Sequence, residues 1–113
     1  MTDRLRSRLL VQVLIRRTEA EGGFATVLRK GDEISGAILL QCPDENHHSR
    51  LFERVADFEK GYILTPVAAS SWGDEERITQ YLDRRCHADP DLWVIELDIP
   101  NGEQLAATIL TGD

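Results

Sequence analysis

The chain lacks the features that most directly assign a small protein to a class. Its only cysteines, Cys42 and Cys86, are too few for a disulfide framework in 113 residues. No apolar run approaches the roughly 18 residues of a membrane span, and no secretory leader pattern opens the sequence. No complete catalytic, metal or phosphate motif is present. We therefore expect a cytoplasmic, reduced protein with no membrane association and no cofactor.

Basic charge is also scarce over most of the chain. The net charge is −7, but the first 30 residues carry seven basic against three acidic side chains, which leaves −11 for the remainder. Binding to nucleic acid without regard to sequence depends on lysine and arginine that neutralise phosphates. Nucleic acid is therefore an unexpected partner, with the basic N-terminal segment as a narrow exception.

Apolar periodicity predicts a helix at the N-terminal end of the chain. Apolar residues recur at spacings of three and four from Leu5 to Leu14, Thr2 or Asp3 can cap the first turn, and Gly22 begins the stop. A second amphipathic pattern, with apolar residues at helical spacing, predicts a helix from about residue 74 to residue 88.

Between these helices, β-branched and aromatic residues bounded by glycine and turn residues predict four strands. The strands span residues 24–30, 37–41, 51–58 and 62–65. The first two read as a hairpin, and their apolar side chains on both faces place them in the interior of a sheet. The last two are joined by a short turn, which predicts antiparallel pairing.

The stretch from Ala88 to Gly102 contains the clearest boundaries in the sequence. Asp89-Pro90 ends the second helix, and alternation from Leu92 to Ile99 predicts a half-buried strand with Trp93 in the core. Asn101-Gly102 is a strong signal for a type I′ hairpin, with residues 104–110 as the returning strand. Together the elements predict one α+β domain over residues 1–113, with a central, mainly antiparallel sheet of four to six strands.

Three segments resemble a known family: Glu21 to Asp32, Gly36 to Leu40, and Asp89 to Glu96. Together they are similar to a small proteobacterial family of about 110 residues, known as domain of unknown function number 1491. The most distinctive part is Asp-Pro-Asp-Leu-Trp followed by an acid-bearing strand. The resemblance implies a bacterial protein of unassigned activity, and no catalytic residue can be carried over from it.

Three apolar residues are candidates for contact with another protein. Val11 and Ile15 widen the apolar face of the first helix beyond a simple stripe, so part of that face is available for a second copy or serves only as core. Trp72 lies between Ser71 and Gly73 in a loop, where a large aromatic either anchors a partner or folds back as a lid on the core.

Arg16, Arg17, Arg29 and Lys30 form a candidate anion-binding group. If the end of the first helix packs near the end of the first strand, guanidinium groups from both could bind phosphate or carboxylate. The alternative is solvated charge paired with the acidic remainder of the chain.

Two further groups of residues are weak candidates for catalysis or metal binding. Glu96 or Asp91 with His87 could act as a hydrolytic base and its partner, although these carboxylates also suit turns and a solvated strand face. His47 and His48 lie near a cysteine and two acids but need ligands from elsewhere to form a zinc site, so we assign no metal.

These observations favour a non-catalytic protein-interaction module that forms a homodimer through the first helix or an edge strand, or binds an unidentified protein. The sequence does not settle whether the chain is an enzyme, and the missing motif favours a protein without catalysis. Anion binding and hydrolysis are the alternatives.

Overall fold

A computed structural model describes residues 6–111. Along the chain the helices are α1 (Ser7–Ala20), α2 (Glu75–Ala88) and α3 (Gly102–Leu110), with a short 3-10 turn at Ala69–Ser71. The strands are β1 (Phe24–Arg29), β2 (Ile38–Gln41), β3 (Leu51–Asp57), β4 (Gly61–Val67) and β5 (Trp93–Asp98). The α+β class, the N-terminal helix and the helix before the Trp93 strand are confirmed.

The five strands form one mixed sheet in the order β1-β5-β2-β3-β4. Three of its four neighbouring pairs are antiparallel, and the pair of β2 with β5 is parallel. The mainly antiparallel sheet and the tight β3–β4 hairpin are therefore as predicted. The parallel pair arises because β3, β4 and α2 together form the connection between β2 and β5.

The predicted hairpin of the first two strands is wrong, because β5 lies between them. The loop that follows β1 passes around the residue before β5. An added Cβ at Gly31 or Gly36 would lie 2.2 or 2.3 Å from the Asp91 carbonyl oxygen, so only glycine permits this approach. Asp32 N–H donates to the same oxygen at 3.0 Å, and Trp93 Nε1 donates to Asp32 O at 2.7 Å.

The predicted hairpin at Asn101-Gly102 is also wrong, because residues 102–110 are helical. A type I′ turn requires positive φ at both central residues, but only Asn101 adopts it, with φ 58°. Asn101 instead precedes the first turn of α3. Buried Ala106 and Leu110 lie four residues apart, which is a helical spacing rather than the alternation of a strand.

The N-terminal end of α1 is held by the loop after β1. The predicted caps Thr2 and Asp3 lie outside the described residues. Within them, Ser7 N–H donates to Ile34 O at 3.2 Å, and Ser7 Oγ donates to Gly36 O at 2.6 Å. Backbone carbonyls of the loop thus satisfy helix donors that a capping side chain would otherwise serve.

The core has two layers, one on each face of the sheet. On one face, α1 and α3 pack against alternate residues of the central strands, including Trp93, Ile95 and Leu97. On the other face, α2 packs through Ile78 against a cluster that includes Val94. Alternate residues of β5 are therefore buried on opposite faces of the sheet. Trp93 is 4% exposed, as predicted for a core residue.

Candidate interaction surface

Exposed large apolar side chains are concentrated in one part of the described chain. Six of the seven lie between residues 9 and 34. They are Leu9, Val13, Phe24, Val27, Leu28 and Ile34. The seventh, Phe58, lies at the turn after β3. Clustered apolar exposure is a mark of contact surfaces, whereas scattered single residues need no explanation.

The strand β1 is at the centre of this concentration and forms one edge of the sheet. Sequence reasoning placed it inside the sheet, covered on both faces; this was wrong, because β5 pairs with its inner side and no described strand pairs with its outer side. Phe24 is 70% exposed, Leu28 48% and Val27 39%. We call the outer side of β1, from Phe24 to Leu28, the β1 surface.

The two edges of the sheet differ in how they discourage further pairing. Proteins commonly protect edge strands with charge, proline or bulges. The other edge, β4, contains Pro66, which lacks a backbone donor, and Arg54 covers its Tyr62 ring at 3.6 Å. The segment Phe24–Leu28 has neither proline nor charge, and its one irregularity is a bulge beyond Val27.

The α1 residues predicted to face a partner lie mostly against the sheet. Val11 is 2% exposed and belongs to the core, so its side chain is not accessible for contact. Ile15 is partly buried at the margin of the same cluster, as is Ala25 of β1. The more exposed apolar residues of α1 are Leu9, at 45%, and Val13, at 36%.

Trp72 has the position of a lid on the core. Its ring packs against both apolar clusters and lies 5.5 Å from the Phe52 ring, centroid to centroid. Its Nε1 donates to Val67 O at 3.0 Å. These contacts account for a large aromatic in this loop, although part of the side chain remains exposed.

The candidate anion-binding residues are not brought together. Arg16 and Arg17 lie near the end of α1, next to the start of β1, whereas Arg29 and Lys30 lie at its far end. The six residues of β1 span about 16 Å from the end of the strand near Arg17 to the end that carries Arg29. Arg17 also pairs with Glu21 at 3.3 Å, and Lys30 pairs with a neighbouring acid.

The candidate hydrolytic residues are similarly dispersed. Asp91 precedes β5 and Glu96 lies in its second half, which separates the two by about 16 Å along the strand. His87 is exposed near the end of α2. The Asp91 backbone is engaged in the loop, since its N–H donates to Asp89 Oδ1 at 3.1 Å.

The histidine loop does not assemble a metal site in the part of the chain that the structure describes, where no three His, Cys, Asp or Glu side chains cluster. His47 and His48 are exposed, and His48 Nδ1 lies 3.7 Å from Asp44 Oδ2. Burial, assisted by the nearby Glu103 carboxylate, raises the pKa of the Cys42 thiol to about 12. Cys42 is therefore a neutral core residue at ordinary pH.

A shallow cleft that sequence reasoning missed lies beside this loop. Its volume is about 610 Å³, and its lining includes Arg50 and Glu103, which are joined by two hydrogen bonds of 3.1 and 2.9 Å. Burial is the largest single influence on Glu103 and opposes its ionisation, but the hydrogen bonds from Arg50, a backbone hydrogen bond and the Arg50 charge together outweigh it, so its pKa is lowered. Since each group satisfies the other, the pair connects the start of β3 to α3.

The sequence pattern around the exposed residues of β1 predicts core positions and not an edge. Phe24 and Leu28 look like core residues, because the strand pattern alone does not distinguish an edge strand from an interior one. Only the insertion of β5, a contact between distant parts of the chain, reveals the edge. No helix among residues 6–111 is long and apolar enough to cross a membrane.

The chain belongs to the DUF1491 family, whose members are described as proteins of unknown function; the family model matches residues 5–107. This confirms the resemblance noted in the sequence. None of the curated proteins compared with the chain matches it.

Three solved structures are similar to the chain. The crystal structure of a DUF1491 family protein from Caulobacter crescentus CB15 is 33% identical, with a TM-score of 0.76, over 90% of this chain and 94% of that one. An NMR structure of a DUF1491 family protein from the same organism is 34% identical, with a TM-score of 0.73, over 89% and 91%. The solution structure of protein Atu0922 from A. tumefaciens is 29% identical, with a TM-score of 0.72, over 90% and 92%.

Proposed function

We propose that this chain is a non-catalytic protein-interaction module that forms a homodimer through the β1 surface. The observation that carries the proposal is the exposure of three apolar side chains, Phe24, Val27 and Leu28, on an edge strand without protecting charge or proline. An uncovered edge strand has a row of unpaired N–H and C=O groups that can pair with another chain. Apolar side chains beside that row supply the area burial that stabilises such a contact.

The most distinctive residues of the sequence support a protein without catalysis, because they are used in building the fold. Gly31 and Gly36 make room for the Asp91 carbonyl. The Asp32 carboxylate accepts hydrogen bonds from the Ile34 and Ser35 backbone at 3.1 and 2.9 Å. Trp93 Nε1 is also satisfied within this loop. In active sites, by contrast, reactive groups face a cavity where a substrate can reach them.

The thiols support a cytoplasmic location for this module. Both Cys42 and Cys86 are free, and no disulfide joins them. Free thiols are usual in reducing compartments and less common in secreted proteins. We further propose that residues 1–113 act as one α+β domain in this interaction.

The mass in solution, measured by sedimentation over a wide range of concentrations, tests the proposal. We expect the wild type to reach twice its monomer mass. Phe24→Ser should weaken the association by about tenfold or more, because a contact residue occurs twice in a symmetric dimer. The matched control is Phe58→Ser, since Phe58 is fully exposed at the opposite end of the sheet.

Two results would contradict this function. One is a wild type that remains monomeric at every concentration. The other is a dimer that Phe58→Ser weakens as much as Phe24→Ser does, because the contact would then not lie on β1.

A further inference from the structure

The outer side of β1 constrains how two copies can pair, if the proposed homodimer is correct. A twofold axis that places two edge strands side by side makes them antiparallel and keeps the same faces of the two sheets together. Residues directly opposite each other must then point to the same face. Because side chains alternate along a strand, the axis must lie between the two copies of one residue, which is then directly opposite itself.

The registers that remain differ in which β1 residue lies opposite its own copy, and the face on which each side chain lies allows them to be compared. Thr26 lies opposite Glu96 of β5, and Ala25 lies opposite Leu97. Ala25 packs against the α1-side core, whereas Leu28 lines a groove with Leu82 of α2. Phe24, Thr26 and Leu28 therefore share the α2 face, and Ala25 and Val27 share the α1 face.

A register centred on Thr26 matches every exposed apolar residue of this strand with an apolar partner. Phe24 then lies opposite Leu28 of the second copy, twice by symmetry, and Ala25 lies opposite Val27. The two Thr26 side chains meet on the axis, and such threonine pairs are favourable across strands. A register centred on Val27 would place Leu28 opposite Thr26, and one centred on Ala25 would place Phe24 opposite Thr26.

Charge is compatible with the register centred on Thr26 and with the one centred on Val27, because Arg29 lies one residue from Phe24 of the other copy in both. Arg29 makes no ion pair within residues 6–111, and neither does Asp98. Phe24 and Asp98 are cross-strand partners, and Arg29 lies opposite Val94 on the α2 face. In the Thr26-centred pair, Arg29 of one copy therefore lies beside Phe24 of the other and about 10 Å, two strand spacings, from its Asp98 backbone. An extended arginine can bridge that distance.

The bulge in β1 is compatible with this length of pairing. It falls between Val27 and Arg29, so Leu28, the last of the five residues that the register uses, has no partner on β5. Bulges bend and twist the strand and end regular pairing. The bulge therefore limits the pairable segment to Phe24–Leu28 and leaves the charged residues beyond it outside the new ladder.

We infer that two copies join their sheets into one continuous ten-stranded sheet through antiparallel β1 strands, with the twofold axis at Thr26. This inference rests on the proposed homodimer and specifies its geometry. Phe24 of each copy covers Leu28 of the other, and Arg29 of each copy faces Asp98 of the other.

Disulfide trapping in a Cys86→Ser background tests the register, because the remaining native thiol, Cys42, is buried. Opposite Cα atoms in an antiparallel pair are about 4.5–5.5 Å apart, within the range of about 4.4–6.8 Å that a disulfide spans. Thr26→Cys should therefore form a covalent dimer under mild oxidation. Ala25→Cys and Val27→Cys should not trap alone, since each lies about 8 Å from its own copy, but should trap when the two variants are mixed.

Each other outcome overturns the register. Trapping of Val27→Cys alone would place the axis at Val27, and trapping of Ala25→Cys alone would place it at Ala25. If no variant traps but the wild type still dimerises in a Phe24-dependent manner, the register fails and the proposed homodimer stands. If the wild type is monomeric, both fail. Far-UV circular dichroism of each variant checks that it has folded.

Discussion

At the scale of single residues, the buried thiol of Cys42 shows how the core controls ionisation. The side chain is 0% exposed, and its backbone N–H donates to Arg50 O at 2.8 Å. Burial penalises the thiolate and raises the pKa from its usual 9.0 to about 12. The folded protein therefore holds the proton over a pH range in which the unfolded chain releases it.

This difference predicts a pH dependence of stability that is specific to Cys42. The stabilisation is fully present below pH 9.0 and is lost as the pH rises toward about 12. In that window the free energy of unfolding should fall by about 1.4 kcal/mol per pH unit for this group. Urea unfolding at several pH values checks it: the stability advantage of the wild type over Cys42→Ala should shrink as the pH rises. A constant advantage would contradict the raised pKa.

At the scale of elements, α3 depends on a single residue in an unusual backbone conformation. Asn101 precedes the helix with φ 58°, in the left-handed region that asparagine and glycine tolerate better than other residues. The following Gly102 N–H donates to Ile99 O at 3.2 Å, which closes the turn after β5. The chain thereby reverses directly from β5 into the helix.

Substitution of Asn101 tests this role. Asn101→Ala should destabilise the protein by about 1 kcal/mol, because alanine adopts the left-handed conformation less readily than asparagine does. Asn101→Gly should be close to neutral, since glycine adopts positive φ readily. Urea unfolding of the pair supplies the comparison. Equal losses for both variants would indicate that the side chain, and not the backbone conformation, is what matters.

The elements also show which parts of the fold the sequence could predict. Helical spacing and alternation are local, so α1, α2 and β5 were placed correctly, and the buried position of Trp93 followed from alternation. Pairing is not local. Gly31 and Gly36 have the pattern of hairpin turn residues, but they accommodate the carbonyl of Asp91, which lies more than fifty residues later, just before β5. Asn101-Gly102 predicts a hairpin turn because both residues tolerate positive φ, but tolerance does not oblige Gly102 to adopt it, and only Asn101 does.

The candidate surface could be predicted only as an edge strand of unknown position, because strand pairing depends on distant parts of the chain. An edge strand was proposed as a contact, but the strand that forms this edge, β1, was placed inside the sheet. Val11 and Trp72 looked available for contact because the packing of α1 and of the Trp72 loop involves distant strands. Exposure depends on the assembled sheet, so Phe24 and Leu28 could not be identified from their neighbours in the sequence.

At the scale of the whole molecule, the two sides of the sheet have different roles. The β4 strand contains Pro66 and has the Arg54 guanidinium over its Tyr62 ring, while β1 is apolar and no strand of residues 6–111 pairs with its outer side. The acidic remainder of the chain, at −11, keeps the rest of the surface soluble and self-repelling. We therefore expect self-association at the β1 edge, which exposes Phe24, Val27 and Leu28 and contains no proline.

Amide hydrogen exchange as a function of protein concentration tests this account most directly. Alternate N–H groups of β1 point away from β5 and exchange slowly only if a second strand accepts their hydrogen bonds. We expect exchange in Phe24–Leu28 to slow by about tenfold or more as the concentration passes the dissociation constant, while exchange in β4 stays unchanged. Equal and concentration-independent exchange at both edges would contradict self-association through β1.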